Sequence, residues 1–359
     1  MKTSNIKSEI GSEYWLEKNN KKAENINFNF QQEHKYLLSG RTAIDYVLQE
    51  ILQEKIIKKV YFPSYCCQSM IQAFQDNNIE IEFYDVIYSN KLEYNINLET
   101  ECDIFYAMNY FGFEETRMDY YIEKFASKKT IIIEDITHSL LSEKPYNGKS
   151  DYMIASLRKW FPIMTGGIAI KGDGKFQVNN EEFSTNLNVY NSKKEAMSKK
   201  YRYIIGEKNI SKEEFLKQYK DSNEELSRNY KNYNIDKESL AILQNIDFNE
   251  VNQTRQRNAK IIFDNLKINE NIKFLCNMKK GDCPLFIPII VNKEMRADLR
   301  NYLTSNKIFC PIHWPKPEKA KECALYETEL SLICDQRYSE EDIKREVNIL
   351  NYFFEEKES

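Results

Sequence analysis

Apolar residues along the chain change their period several times, and each change marks an element. The stretch RTAIDYVLQEILQEK sets Ala43, Ile44, Val47, Leu48 and Ile51 on one helical face, and KKVYFPSY after it reads as a strand. SMIQAFQDNNIE then reads as a helix and IEFYDV as a strand, followed by strand DIFYAMNYFG, helix DYYIEKFASKK and the buried strand TIIIEDITHS with its polar end. SDYMIAS and GGIAIKG close the series. Strands alternating with helices between residues 39 and 172 predict βαβ units in a mostly parallel sheet, so the fold class is α/β.

From about residue 190 the chain turns strongly charged and helical in period, through SKKEAMSKKYRYI and KEEFLKQYKDSNEELSRNY to DFNEVNQTRQRNAKIIFDNLK. In the last of these, Val251, Ala259, Ile262, Phe263 and Leu266 form the apolar stripe. Beyond it come strand CPLFIPIIV, helix MRADLRNYLTSNK, strand IFCPIHWP and a closing helix, SEEDIKREVNILNYFFEE. The expected division is a large domain over residues 1–245, with an N-terminal arm over 1–35, and a small α+β domain over 246–359.

Composition narrows the class. At 359 residues, 42% of them hydrophobic, the chain can bury a large core. Its net charge of −4 gives no general attraction to nucleic acid or anionic lipid. The start, MKTSNIKSEIGSEYW, lacks the apolar core of a secretory signal, and no run of apolar residues reaches membrane-spanning length, which predicts a cytoplasmic protein. The eight cysteines have no zinc-ligand spacing, so reduced thiols and no metal are expected.

Three segments carry chemistry. In SDYMIASLRKWFPIMTGGIAI, Ser156, Arg158 and Lys159 stand between two strands, and Lys159 beside Trp160, Phe161 and Pro162 would be partly desolvated, which favours a neutral, nucleophilic amine. A lysine on a solvated loop is the plain alternative. In IIIEDITHSLL, Glu134 and Asp135 end an isoleucine run, where a parallel sheet faces its ligand crevice. Asp135 there fits an acid that keeps a pyridine nitrogen protonated, although a turn or cap Asp would look the same. In LLSGRTAIDYV, Ser39, Gly40, Arg41 and Thr42 precede a helix, a place suited to a phosphate or to an ordinary cap.

Taken together, SGRTAI (39–44), FPSYCCQSM (62–70), NYFGF (109–113), IEDITHS (133–139), SLRKWFPIMTGG (156–167) and HWP (313–315) resemble the DegT/DnrJ/EryC1/StrS aminotransferase superfamily. The order and spacing match, and weaker likeness continues through RQRNAKIIFDNL and LSLICDQRY. The chain resembles a divergent SGR/RKW variant of it. The resemblance implies fold type I of the pyridoxal-phosphate (PLP) transferases, a homodimer with shared active sites, and PLP alternating with its pyridoxamine form. It implies that Lys159 carries the cofactor as a Schiff base and shuttles the proton, that Asp135 pairs with the ring nitrogen, and that His138 lies near the phenolic oxygen. By the same carry-over, Gly40, Arg41, Thr42 and Ser156 hold the phosphate. The ring's outer face falls to the Pro63 to Ser69 segment, where Tyr65 is the aromatic and Cys66 or Cys67 the aligned position. Asn109, Tyr110, Arg158, His313 and Trp314 would line the substrate side, Arg158 by gripping a donor carboxylate.

The leading activity is amino transfer from a donor such as L-glutamate to a keto acceptor, a nucleotide-linked keto sugar or a small phosphorylated ketone, in surface polysaccharide or secondary-metabolite synthesis. PLP-dependent decarboxylation or dehydration is the enzymatic alternative, and a non-catalytic protein that retains the fold is the third. No nucleic acid or membrane partner is expected.

Overall fold

A computed structural model describes residues 9–17 and 30–358. Of the expected N-terminal arm, residues 1–8 and 18–29 lie outside the described part. The described residues divide into two compact units, one of residues 9, 13–17, 30–55 and 154–247, the other of residues 10–12, 56–153 and 248–358.

In chain order, β1 (Ile10–Gly11) belongs to the second unit, and β2 (His34–Leu37) and α1 (Gly40–Glu54) to the first. The second unit continues with β3 (Lys59–Pro63), α2 (Gln68–Asp76), β4 (Glu80–Tyr88), β5 (Leu92–Asn95), β6 (Ile104–Met108), α3 (Asp119–Ser127) and β7 (Ile131–Asp135). Strand β8 (Tyr152–Ser156) gives two residues to the second unit and three to the first. The first unit resumes with β9 (Gly167–Lys171), β10 (Ser184–Thr185), α4 (Leu187–Ile204), α5 (Lys212–Arg228), β11 (Tyr233–Asn234) and α6 (Lys237–Leu243). The second ends with α7 (Phe248–Asn265), β12 (Ile272–Phe274), β13 (Ile287–Val291), α8 (Lys293–Ser305), β14 (Ile308–Phe309), α9 (Leu325–Thr328), β15 (Glu329–Leu332) and α10 (Glu340–Glu358).

The fold is α/β, with a large mixed, mostly parallel sheet of strand order β10-β11-β2-β9-β8-β7-β6-β3-β4-β5. In the second unit β3 pairs in parallel with β4 and β6, and β6 with β7, while β5 closes the edge antiparallel to β4. All five residues of β7 are buried, as a strand read from an uninterrupted isoleucine run should be. A separate sheet, β12-β13-β15, lies later in the same unit. In the first unit β2 runs antiparallel to β9. The five apolar positions foreseen for α1 are all buried, and Tyr14 packs with Met164, Ala196, Met197, Phe215 and Tyr219 in a core cluster.

Three expected strands differ in extent, and of CPLFIPIIV only Ile287–Val291 forms a strand. IFCPIHWP contributes only β14, because Pro311 and Pro315 have no amide hydrogen to give a ladder. Strand β4 runs longer than the apolar pattern of IEFYDV, to Tyr88, because its far end pairs with β5. No described helix is long and apolar enough to cross a membrane.

Candidate active site

The first unit supplies a lysine and an anion cradle. Ser39 caps α1: its Oγ accepts the Thr42 amide at 3.2 Å, and its carbonyl accepts the Ala43 amide at 2.9 Å. The Thr42 hydroxyl donates to the Tyr230 carbonyl at 2.9 Å, so Thr42 is committed to anchoring the cap. At the start of the helix, a Cβ on Gly40 would fall 3.0 Å from the Ser156 Cβ. A Cβ on Gly167 would meet the Ser39 carbonyl oxygen at 2.1 Å. Two glycines thus let the helix start lie directly against β8 and β9, with Ser156 packed on Gly40. That arrangement, with the helix dipole behind it, suits a phosphate. Lys159 ends a 3₁₀ turn that leaves β8 and is half-buried, flanked by fully buried Leu157, Trp160 and Phe161. Arg41 reaches Ser227 at 2.9 Å and lies over the Tyr230 ring. Arg158 is half-buried, and its Nε has no hydrogen-bond partner among the described residues.

The second unit supplies an acid and a set of rings. Asp135 ends β7 at 3% exposure, its Oδ2 accepting the Tyr106 hydroxyl at 2.9 Å and its Oδ1 the Thr137 amide at 2.8 Å. These two donors orient the carboxylate at the strand end, where an acid can hold a ring nitrogen protonated. Three residues on, His138 is fully buried and its Nδ1 accepts the Phe111 amide at 3.0 Å. With Nδ1 as acceptor, the proton of the neutral ring sits on Nε2, which becomes a donor. The amide reaches His138 because the chain turns through left-handed φ at both Phe111 (60°) and Gly112 (88°) after β6. A Cβ on Gly112 would lie 2.4 Å from the His138 carbonyl oxygen, so only glycine fits that turn. The His138 ring stacks on Trp314 with centroids 5.8 Å apart, and Trp314 lies 5.1 Å from Tyr65. His313 completes the group, its Nδ1 within 2.9 Å of the Ser331 Oγ.

No family model matches the chain, and no curated protein matches it in sequence. Solved structures do match. Helicobacter pylori PseC, an aminotransferase involved in the biosynthesis of pseudoaminic acid, aligns with a TM-score of 0.60 at 14% identity, over 90% of this chain and 87% of that one. A DegT DnrJ EryC1 StrS aminotransferase from Brucella abortus gives 0.58 at 16% identity, over 90% and 86%. The PLP form of Spr1654 from Streptococcus pneumoniae gives 0.62 at 14%, over 91% and 88%. The chain has the aminotransferase fold. At these identities the likeness speaks for architecture alone.

Within this aminotransferase fold, the residues singled out by sequence fall into distinct roles. Tyr65, Tyr110, His138, His313 and Trp314 are brought into one buried cluster of rings. Tyr110 donates to the Tyr65 carbonyl, and both are fully buried. Cys66 is buried, whereas Cys67 is half-buried at the cap of α2 with its Sγ 3.0 Å from the Ser69 Oγ. Asn109 stands apart: its amide donates to Glu134 at 2.6 Å and to the Pro145 carbonyl at 3.1 Å. Glu134 also accepts the Ser150 hydroxyl and the Asn147 amide. Burial pushes the Glu134 carboxyl up to about 7 against those hydrogen bonds and the nearby Arg117 charge. Sequence reasoning passed over Tyr106, which orients Asp135, and Glu329, whose Oε2 accepts the His313 amide at 2.7 Å. The apolar run DIFYAM puts Tyr106 in a strand but gives no sign of its long-range partner, and Glu329 opens a strand too short to read from the sequence.

Proposed function

We propose that the protein is a PLP-dependent aminotransferase that moves an amino group from L-glutamate to a keto acceptor, a nucleotide-linked keto sugar or small phosphorylated ketone, for surface polysaccharide or secondary-metabolite synthesis. The observation that carries the reading is Asp135, a buried carboxylate held by two neutral donors at the end of a central parallel strand. An acid placed there can keep a pyridine nitrogen protonated. PLP, when bound, supplies an electron sink for the bond pair released at the donor's α-carbon. Lys159 would hold it covalently through Nζ and then carry the proton to and from that carbon. Asp135 would keep the ring nitrogen protonated, and the His138 Nε2–H would donate to the phenolic oxygen. The first amides of α1, at Gly40 and Arg41, and the Ser156 hydroxyl would bind the phosphate, with Thr42 bracing the cap behind them. Cys67, and not the enclosed Tyr65, is our choice for the ring's outer face. Arg158 would pair with the donor carboxylate, while His313 and Trp314 line the acceptor side and Asn109 and Tyr110 brace its walls. A homodimer with shared sites completes the reading, and sedimentation should return twice the chain mass.

The test is optical. PLP added to the purified chain should give a visible absorption band that Lys159→Ala lacks, and L-glutamate should bleach it until a keto acceptor is supplied. A wild-type chain that stays colourless at saturating PLP would overturn the reading. CO₂ release from an amino acid, with the band unmoved by glutamate, would replace amino transfer by decarboxylation.

A further inference from the structure

The segment IFCPIHWP forms no strand beyond Phe309, yet it is tied to β15, the Ser331 amide donating to the Pro311 carbonyl at 3.0 Å. Two residues apart on β15, Glu329 and Ser331 share a face of the strand, and both are fully buried. His313, at 6% exposure, meets both. Its main-chain amide donates to Glu329 Oε2 at 2.7 Å, and its Nδ1 lies 2.9 Å from the Ser331 Oγ. The Ser331 Oγ in turn lies 2.5 Å from Glu329 Oε1. From that carboxylate oxygen directly to Nδ1 the distance is 3.8 Å, so the serine carries the hydrogen bonds between them.

These contacts fix where the protons sit. An ionised carboxylate can only accept, and Ser331 has a single hydroxyl proton, which the 2.5 Å contact commits to Glu329. Toward His313 the serine has only lone pairs to offer, so the proton between them belongs to Nδ1. A neutral imidazole carries one N–H, and with it on Nδ1 the other nitrogen is an acceptor. Whatever group meets Nε2 must therefore come as a donor. His138, its ring centroid 5.7 Å away, is held the other way round, because its Nδ1 accepts the Phe111 amide at 3.0 Å. Two neighbouring imidazoles of one unit thus have opposite polarity.

We infer that Glu329 and Ser331 are positioning residues that hold His313 as a proton acceptor at Nε2, beside His138 as a proton donor. The pair sorts ligand groups by polarity: an O–H or N–H is received at His313, and a carbonyl or oxyanion at His138. A carbonyl brought to His313 would face a lone pair and be refused. Which ligand brings the donor rests on the aminotransferase reading, in which His313 lines the acceptor side. The tautomer does not rest on it, so the two fail separately.

Histidine-selective nitrogen isotope labelling of the full chain, without cofactor, gives three rings to observe by magnetic resonance, those of His34, His138 and His313. His34→Gln and His313→Gln assign them. At about pH 8, above the ordinary imidazole range, the nitrogen shifts should show His313 protonated at Nδ1 and unprotonated at Nε2, and His138 the reverse. Glu329→Gln should invert His313. The His313 main-chain amide can only donate, so it takes the glutamine oxygen; the glutamine NH2 then donates to Ser331, whose hydroxyl turns to His313 Nδ1, and the ring proton moves to Nε2. A residue that only supported the fold could not reverse one tautomer and leave His138 unchanged. Because the wild-type pattern is itself decisive, a Gln variant that fails to fold leaves the inference testable. A wild-type His313 protonated at Nε2, or at both nitrogens, would overturn it. So would a folded Glu329→Gln chain that keeps the wild-type pattern, or one in which both rings change together.

Discussion

At the scale of single residues, buried carboxyls divide by whether their donors match their burial. Asp335 is enclosed, yet Arg337 holds its pKa down through hydrogen bonds at 2.9 and 2.7 Å. Glu346 has less help: its Oε1 accepts the Ile333 amide at 3.0 Å, its Oε2 has no partner among the described residues, and burial pushes it up to about 8. The folded chain therefore keeps a proton there that the unfolded chain loses in the ordinary Glu range. The stability linked to that proton is complete at acid pH and declines as pH rises from the ordinary value toward about 8. Glu346→Gln keeps the acceptor for Ile333 and removes the titration. Thermal unfolding followed from about pH 5 to about pH 9 should show a slope shallower by about one proton in the variant, with the remainder assigned in part to Glu134. Identical slopes would show that Glu346 does not titrate in this range. Asp135 was legible in the sequence because a polar residue ending an isoleucine run stands out. Glu346 was not, since it sits in a charged helical stretch whose partners, Ile333 and Cys310, lie in other elements.

At the scale of elements, the start of α1 depends on what lies against it. SGRTAI reads equally well as a cap or as an anion site, and the structure gives Ser39 and Thr42 the cap while leaving the start of the helix against Ser156. That closeness rests on Gly167, which as a sequence feature is only the second glycine of GGIAIKG. Because the neighbour of an added Cβ is backbone, the Ser39 carbonyl, no side chain can rotate away to make room. Gly167→Ala should therefore cost about 1–3 kcal/mol, toward the upper end, and should weaken PLP binding by moving the helix start. Gly148→Ala, with nothing within 4 Å of its Cβ, is the matched control and should change neither quantity. Denaturant unfolding and a PLP titration check both, and a Gly167→Ala chain as stable as the control would refute the packing argument. The longer helices were legible from their apolar stripes, whereas the short α6 and α9 were not. The short strands β2, β5, β12 and β15 were not, for three or four residues carry too little alternation to stand out from their loops.

At the scale of the whole molecule, architecture outlasts sequence. Structures with 14% identity cover 91% of the chain, because packing constrains size and polarity while, on the proposed reading, the cofactor chemistry constrains only a few side chains. The residues proposed for it lie at strand ends and helix starts, and the short motifs that hold them pointed to the fold when overall likeness was faint. The same separation predicts how the chain should respond to PLP. A ligand that binds only the folded protein at a hundredfold excess over its Kd adds about 2.7 kcal/mol. For a chain of this length, that amounts to a rise in Tm of roughly 4 °C. Asp135→Asn keeps the shape of the side chain and an oxygen for the Tyr106 and Thr137 donors, so the cofactor-free Tm should stay near that of wild type. What the amide lacks is the charge that a pyridinium needs, and the PLP-induced rise at the same concentration should shrink accordingly. Scanning calorimetry of both proteins with and without PLP separates the two effects, since a residue that only supports the fold would lower both curves together. An Asn variant that shows the full wild-type rise would mean that the Asp135 charge plays no part in holding the ring.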